Sequence, residues 1–396
     1  MMENEVNNKD WHLIRNDNGE WISDEYAMFL TPLDAIVLEA RAAQQGKPFS
    51  IQHGVEGQLW CYRHELEAID FSTYKPANRK LKIEKVHMKR RTDDDFNRLK
   101  DWLKQKTNVS DLPQDYTYKY EEQKRNLVLA LSKKGLKANM QENGSAFESW
   151  AIALKYYLSD RIKTVTIDWE QMPSGDDNNL HFNRFVYRLS KFVQTFEWAL
   201  SAKPIPQIPS MLVCNFPNNK AAEAKEHDVG SEGWIECKYV EKYRKKYDVM
   251  NHQLPVGIFH DKVSRHTHYT TGQKSAIDIW AIKDNNLFIF ELKKPDNNVL
   301  GVISELMFYT NIFQDIMSHR ILYQHDAKLQ VAIKKNYRGF RDLYGSYNSG
   351  NIKSINAIIL ADTIHPLIKP ELIDFINNSA RLKYCRINYS TRKVEI

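Results

Sequence analysis

The chain is poor in cysteine. Cys61, Cys214, Cys237 and Cys385 are its only ones among 396 residues, and they are scattered. No C-x-x-C pair exists, so neither a zinc knuckle nor a disulfide framework is implied. Free thiols in a reducing cytoplasm are the expectation. Long apolar runs are missing too. No stretch approaches the roughly 20 apolar residues of a membrane span. The polar start M-M-E-N-E-V-N-N-K-D has no apolar signal core. A soluble cytoplasmic protein without a membrane partner follows as the expectation. No internal repeat or long low-complexity tract stands out. Excess charge of one sign is small: 56 Lys and Arg against 50 Asp and Glu give +6. That balance is compatible with nucleic acid without requiring it.

What is present is an apolar content of 42%, enough for a sizeable core, and 12% aromatic residues. The length suggests two or three domains. The expected divisions are 1–90, a small α/β module; 91–202, a mostly helical linker or middle region; and 203–396, a second folded domain.

The most informative stretch is 276–293, A-I-D-I-W-A-I-K-D-N-N-L-F-I-F-E-L-K. Two alternating, β-prone runs flank a D-N-N turn. In the second run Leu287, Ile289, Glu291 and Lys293 share one face, because strand side chains repeat every two residues. An acid and a base therefore stand side by side among large apolar residues, a costly placement unless they hold something. A two-residue loop at Asn285-Asn286 would set Asp278 opposite Lys293, since both Asn tolerate the positive φ of such a turn. Asp278, Glu291 and Lys293 then converge, whereas an odd-numbered loop would invert the pattern. Two carboxylates and an ammonium at a strand end suit Mg²⁺ or Mn²⁺ with several waters. The chemistry that follows is phosphodiester hydrolysis, with Lys293 offsetting charge on the phosphate.

Asp278 followed by Glu291-Leu292-Lys293 resembles the PD-(D/E)XK nuclease superfamily of restriction-endonuclease-like folds. Ala276-Ile277 stand where the proline of that motif would fall. The resemblance spans about the last half of the chain in element order. It implies a fold of mixed α/β (α+β) class, with an αβββαβ core beside the helical middle region and a small β-rich N-terminal module. It implies an Mg²⁺-dependent endonuclease, with Asp278 and Glu291 as metal ligands and Lys293 as the group assisting water. Glu232 or Glu236, on a helix expected over 231–247, matches an extra acidic ligand of the family, although a helix-dipole or surface role fits each equally well. DNA is the default substrate, a defence or repair role the natural context, and a homo-oligomer a further implication.

Upstream, Pro255–Phe259 reads as the first core strand. His266-x-His268 lacks a third ligand with firm spacing, so zinc is not favoured. Lys274 lies in position to meet phosphate. Downstream a helix is expected over Val299–Ser318, with Glu305 and Tyr309 as an i,i+4 pair. Lys334, Lys335, Arg338 and Arg341 interleave with Tyr337, Phe340 and Tyr344, a mixture suited to nucleic acid. A strand over 355–361, a helix over 370–378 and a strand over 383–389 complete the order.

The first 90 residues read as short strands around Trp11 and Trp21, a helix from Pro32 to Gln45 ending at Gly46, and strands near 49–53, 59–64 and 80–86. Trp11, Trp21, Tyr62, the Ile69-Asp70-Phe71 run and Arg79 resemble a WWE domain. That resemblance implies an ADP-ribose-type ligand held by Trp21, Tyr62 and Arg79, although Ala77-Asn78 replace the usual Thr-Gly. Between the two parts, Ser145-x-x-Glu148 reads as a helix capping box, Thr164–Trp169 as a strand and Phe182–Ser201 as a long helix, with Glu148, Glu170 and Glu197 on the surface. Two rival functions remain at this stage: a non-cleaving nucleic-acid binder on the same fold, and a ligand sensor led by the N-terminal module.

Overall fold

The computed structural model describes residues 14–15, 21–22, 27–30, 32–53, 59–70, 94–170, 180–271, 275–294, 297, 299–381 and 385–396. The chain forms two units: residues 1–88, 224–235 and 394–396 in one, residues 89–223 and 236–393 in the other. It is of mixed α/β class.

In the first unit β1 (Ile14–Arg15) and β2 (Trp21–Ile22) pair with Arg15 opposite Trp21. Then come β3 (Ala27–Leu30), α1 (Pro32–Gln45), β4 (Gln52–His53), β5 (Leu59–Tyr62) and α2 (Arg63–Glu67). Strand β5 is central between β3 and β4 and buries Trp60 and Cys61. Helix α1 has the expected bounds. It opens on Pro32, whose fixed φ suits a first turn, and stops at Gly46, where φ is +62°. The expected strand over 80–86 lies outside the described residues.

The second unit begins with α3 (Asp94–Thr107), β6 (Tyr116–Glu121), β7 (Asn126–Leu131), α4 (Lys133–Lys137), α5 (Phe147–Tyr157), β8 (Thr164–Trp169), α6 (Leu180–Thr195) and β9 (Ala199–Ser201). Strands β6 to β9 form a four-stranded sheet in chain order, antiparallel at β6–β7 and parallel thereafter. This corrects the expectation of a mostly helical middle region. Strand β6 alternates buried Tyr116 and Tyr118 with exposed Thr117 and Lys119, but the charged connection Glu122-Gln123-Lys124 hides the hairpin from a periodicity count. Three local readings also change. The helix read through Ser201 ends at Thr195, and Ala199–Ser201 turn into β9. Ser145 and Glu148 do not form a capping box. Glu148 is buried and takes the Arg188 guanidinium, which also bonds Ser145 Oγ at 3.2 Å.

The rest of the unit comprises β10 (Leu212–Cys214), α7 (Glu232–Tyr243, whose first turn belongs to the first unit), β11 (Val249–Pro255), β12 (Ile258–Phe259), β13 (Ala276–Lys283), β14 (Asn286–Lys293), α8 (Val302–Met317), β15 (Ile321–Tyr323), α9 (Ala327–Lys335), α10 (Phe340–Asn348), β16 (Ser354–Ala361), α11 (Pro370–Ser379) and β17 (Arg386–Arg392). A five-stranded sheet runs β11-β13-β14-β16-β17. Its first three strands are antiparallel and its last two join in parallel. A small sheet, β12-β10-β15, stands apart. The strand read as Pro255–Phe259 therefore splits, because β11 ends at Pro255 and Ile258–Phe259 pair with β10 instead. Parallel strands β14 and β16 are nearly continuous in buried apolar residues, as strands covered on both faces must be.

Candidate active site

The β13–β14 turn sets the geometry. Asp284 and Asn285 are its central residues, with φ of 51° and 61°, and Lys283 pairs with Asn286. The turn thus falls one residue earlier than the sequence suggests. Following the ladder beyond the Ile279–Phe290 pair sets Asp278 opposite Glu291 rather than Lys293. The loop still has two residues, so the shared face survives the change.

Asp278 is half-buried and accepts the Leu292 amide at 2.8 Å through Oδ2. Glu291 and Lys293 are 2% and 5% exposed. Lys293 Nζ lies 2.5 Å from Glu291 Oε1 and 3.0 Å from Glu305 Oε2 on α8. Tyr309 donates its hydroxyl to Glu305 Oε1 at 3.4 Å. Burial, then the charges of Asp278 and Glu305, pushes the Glu291 carboxyl well above the usual range, against the pull of Lys293. Burial works against the Lys293 charge, but Glu291, Glu305 and Asp278 together outweigh it and hold the ammonium more firmly protonated than usual. The Tyr309 phenol is raised by burial and by the same carboxylates, so it stays a neutral donor.

One observation tests the fit to a divalent cation. Glu291 Oε2 is buried and accepts no hydrogen bond from the described residues. A buried polar oxygen without a partner is costly, and a hard cation held there with Asp278 would remove that cost and favour the ionised carboxylate. Among the described residues, no group of three or more His, Cys, Asp or Glu side chains forms a ready ligand cage. The other positions of an Mg²⁺ ion would fall to water, which that ion retains readily.

The other expected site residues are spread out. Glu236 is buried and accepts hydrogen bonds from Gln253 Nε2, at 2.9 and 2.8 Å, with His252 Nδ1 3.5 Å away. Gln253 occupies the ladder position facing Asp278 in a left-handed conformation, φ 55°. Glu232 belongs to the first unit, in the opening turn of α7. Arg338 is turned inward: it donates to the Gln253 carbonyl and to Asn219 Oδ1. Lys334, Lys335 and Arg341 are exposed, Arg341 beside Asp342 at 3.2 Å. Lys274 and Arg79 lie outside the described residues, as does the side chain of Trp21. Tyr62, in the first unit, packs edge-on against Trp60 with centroids 5.0 Å apart. His268 packs at a tilt against Phe259, with ring centroids 4.4 Å apart.

Glu305 was not singled out from the sequence as a site residue. Its signal was there: a carboxylate on a helix stripe otherwise made of Leu306, Phe308, Ile312 and Phe313, one turn from Tyr309. Compared with known protein families, curated proteins and solved structures, the chain matches none.

Proposed function

We propose that the five-stranded part of the second unit is a metal-dependent nuclease of the PD-(D/E)XK type, acting on DNA. The observation that carries the reading is the convergence of Asp278, Glu291 and Lys293 on one sheet face, with a buried Glu291 oxygen lacking a donor. The element order α7, β11, β13, β14, α8, β16 agrees with the αβββαβ core that the motif implies.

Asp278 and Glu291 would hold Mg²⁺, which would supply Lewis-acid polarisation of a phosphoryl oxygen and a more acidic water. Lys293, kept charged by its carboxylate neighbours, offsets the negative charge that builds on the phosphoryl group. Glu305 positions Lys293 from α8. In the overall reaction the water oxygen joins phosphorus, one phosphoester bond breaks, the leaving oxygen takes up a proton, and the water proton passes to solvent. The half-buried Asp278 marks the side from which a phosphodiester reaches the site. Exposed Lys334, Lys335 and Arg341 suit contact with the backbone beyond it.

The test is cleavage of plasmid DNA, single-stranded DNA and RNA in Mg²⁺ by the full chain and by Lys293→Ala. Activity lost in the variant and without metal is expected. Activity unchanged in the variant would remove the assignment.

A further inference from the structure

The four-stranded sheet β6–β9 and strands β13, β14, β16 and β17 of the five-stranded sheet repeat one plan. Each begins with an antiparallel hairpin, continues through a helix to a parallel strand, and through a second helix to another parallel strand. The series β6, β7, α5, β8, α6, β9 thus corresponds to β13, β14, α8, β16, α11, β17, with α4 added in the first and β15, α9 and α10 in the second.

The correspondence reaches individual side chains. Residues 126–134 read N-L-V-L-A-L-S-K-K and 286–294 read N-L-F-I-F-E-L-K-K. Asn126 faces Thr164 on the next parallel strand, as Asn286 faces Ser354. Both Asn accept the same hydrogen bond there: Asn126 Oδ1 from Thr164 Oγ1 at 2.9 Å, Asn286 Oδ1 from Ser354 Oγ at 2.7 Å. The halves also meet reciprocally. Ser149 and Ser304, each third in its helix, place their hydroxyls 2.7 Å apart. Each backbone amide donates to the other's Oγ, at 3.3 and 3.0 Å. The later helix of each half lies against the earlier helix of the other, through Tyr187–Phe308 and Tyr156–Phe375. Such mutual exchange of contacts is what a two-fold pairing of like surfaces produces.

The chemistry does not repeat. In the first half Tyr116 faces Leu131, at the positions where Asp278 faces Glu291. Leu131 is fully buried, and Tyr116 is buried with its hydroxyl on the Asn143 carbonyl. Lys133, the counterpart of Lys293, is exposed.

We infer that residues 94–201 are a catalytically silent copy of the nuclease half. The chain carries its own two-fold partner but a single reactive centre, so each encounter with duplex DNA breaks one strand. This rests on the nuclease reading and adds the strand outcome. In each event one phosphoester bond of one strand is hydrolysed, leaving a phosphate and a hydroxyl at a nick.

The test follows supercoiled plasmid in Mg²⁺ over time with the full chain in excess, and Asp278→Asn as the control for adventitious nuclease. Open circles should accumulate first and linear DNA only afterwards, with neither form produced by the variant. Linear DNA formed directly, without an open-circle intermediate, would overturn the single-centre inference while leaving the nuclease reading standing. Failure of the wild-type chain to cut in any form would sink both.

Discussion

Glu305 on helix α8 lies 3.0 Å from the ammonium of Lys293 on strand β14. The contact joins the helix to the sheet at the point where Glu291 already holds the same nitrogen. Lys293 is thus fixed between two carboxylates before any substrate arrives. Pre-organised charge of this kind is effective because it needs no rearrangement during reaction.

Glu305→Gln should therefore weaken cleavage without removing it. We expect kcat to fall by about 10- to 100-fold with KM nearly unchanged, because the lysine loses orientation rather than the substrate its contacts. Lys293→Met should fall further, by about 10²–10³-fold, as for loss of a charge-stabilising donor. Equal losses in the two variants would contradict the positioning role.

Buried ion pairs fix α6, one within the first half of the second unit and one across to the other half. Glu148 pairs with Arg188 between α5 and α6, and Asp315 on α8 takes both Lys191, at 2.5 Å, and the Tyr187 hydroxyl, at 2.9 Å, from α6. Removing one partner of such a pair strands a charge away from water. Lys191→Met and Arg188→Met are each expected to cost about 3–5 kcal/mol, read as a lower denaturation midpoint in urea with an unchanged slope.

Gly301 precedes α8 where the backbone of Gln141 approaches closely. A Cβ at 301 would stand 2.1 Å from the Gln141 carbonyl oxygen, so the backbone must shift to admit one. Gly301→Ala should destabilise by about 1–3 kcal/mol, the usual range for overpacking. Hydrogen exchange should quicken around Ser149 and Ser304 before it does in β13 and β14.

Stability should also fall with acid through half-buried histidines. Burial lowers His365 below the ordinary imidazole range, against the pull of Asp111, and its Nδ1 accepts the Leu367 amide at 3.2 Å. His181 is lowered by burial and by Arg184. Between the depressed folded value and the usual value near 6.5 the unfolded chain binds more protons, so stability rises with pH across that window. It is complete above about pH 6.5 and declines as the pH falls below it. Urea midpoints from about pH 5 to 8 check this, and His365→Asn should flatten part of the slope.

The sequence made strands β13 and β14 legible because alternation and a short turn carry their own geometry. Glu291 and Lys293 share a face by spacing, and a two-residue loop adds Asp278 to it. The register was missed by one loop position, since D-N-N offers two equally good turns and only pairing with β11 and β16 decides between them. Glu148 looked like a surface residue because its partner, Arg188, lies 40 positions away. The repeated plan stayed hidden for a related reason. Topology and a few side-chain hydrogen bonds recur, while the residues that would advertise the likeness, at 116 and 131, are a phenol and a hydrocarbon.

The most direct measurement is calorimetric titration of the intact chain with Mn²⁺, without nucleic acid, beside Glu291→Gln and Asp278→Asn. The wild-type chain should bind the ion and gain thermal stability from it, by about 2.7 kcal/mol at a hundredfold excess over Kd. Both variants should lose the binding and the gain while remaining folded. Mn²⁺ binding of equal strength in all three proteins would contradict a cation site built from Asp278 and Glu291.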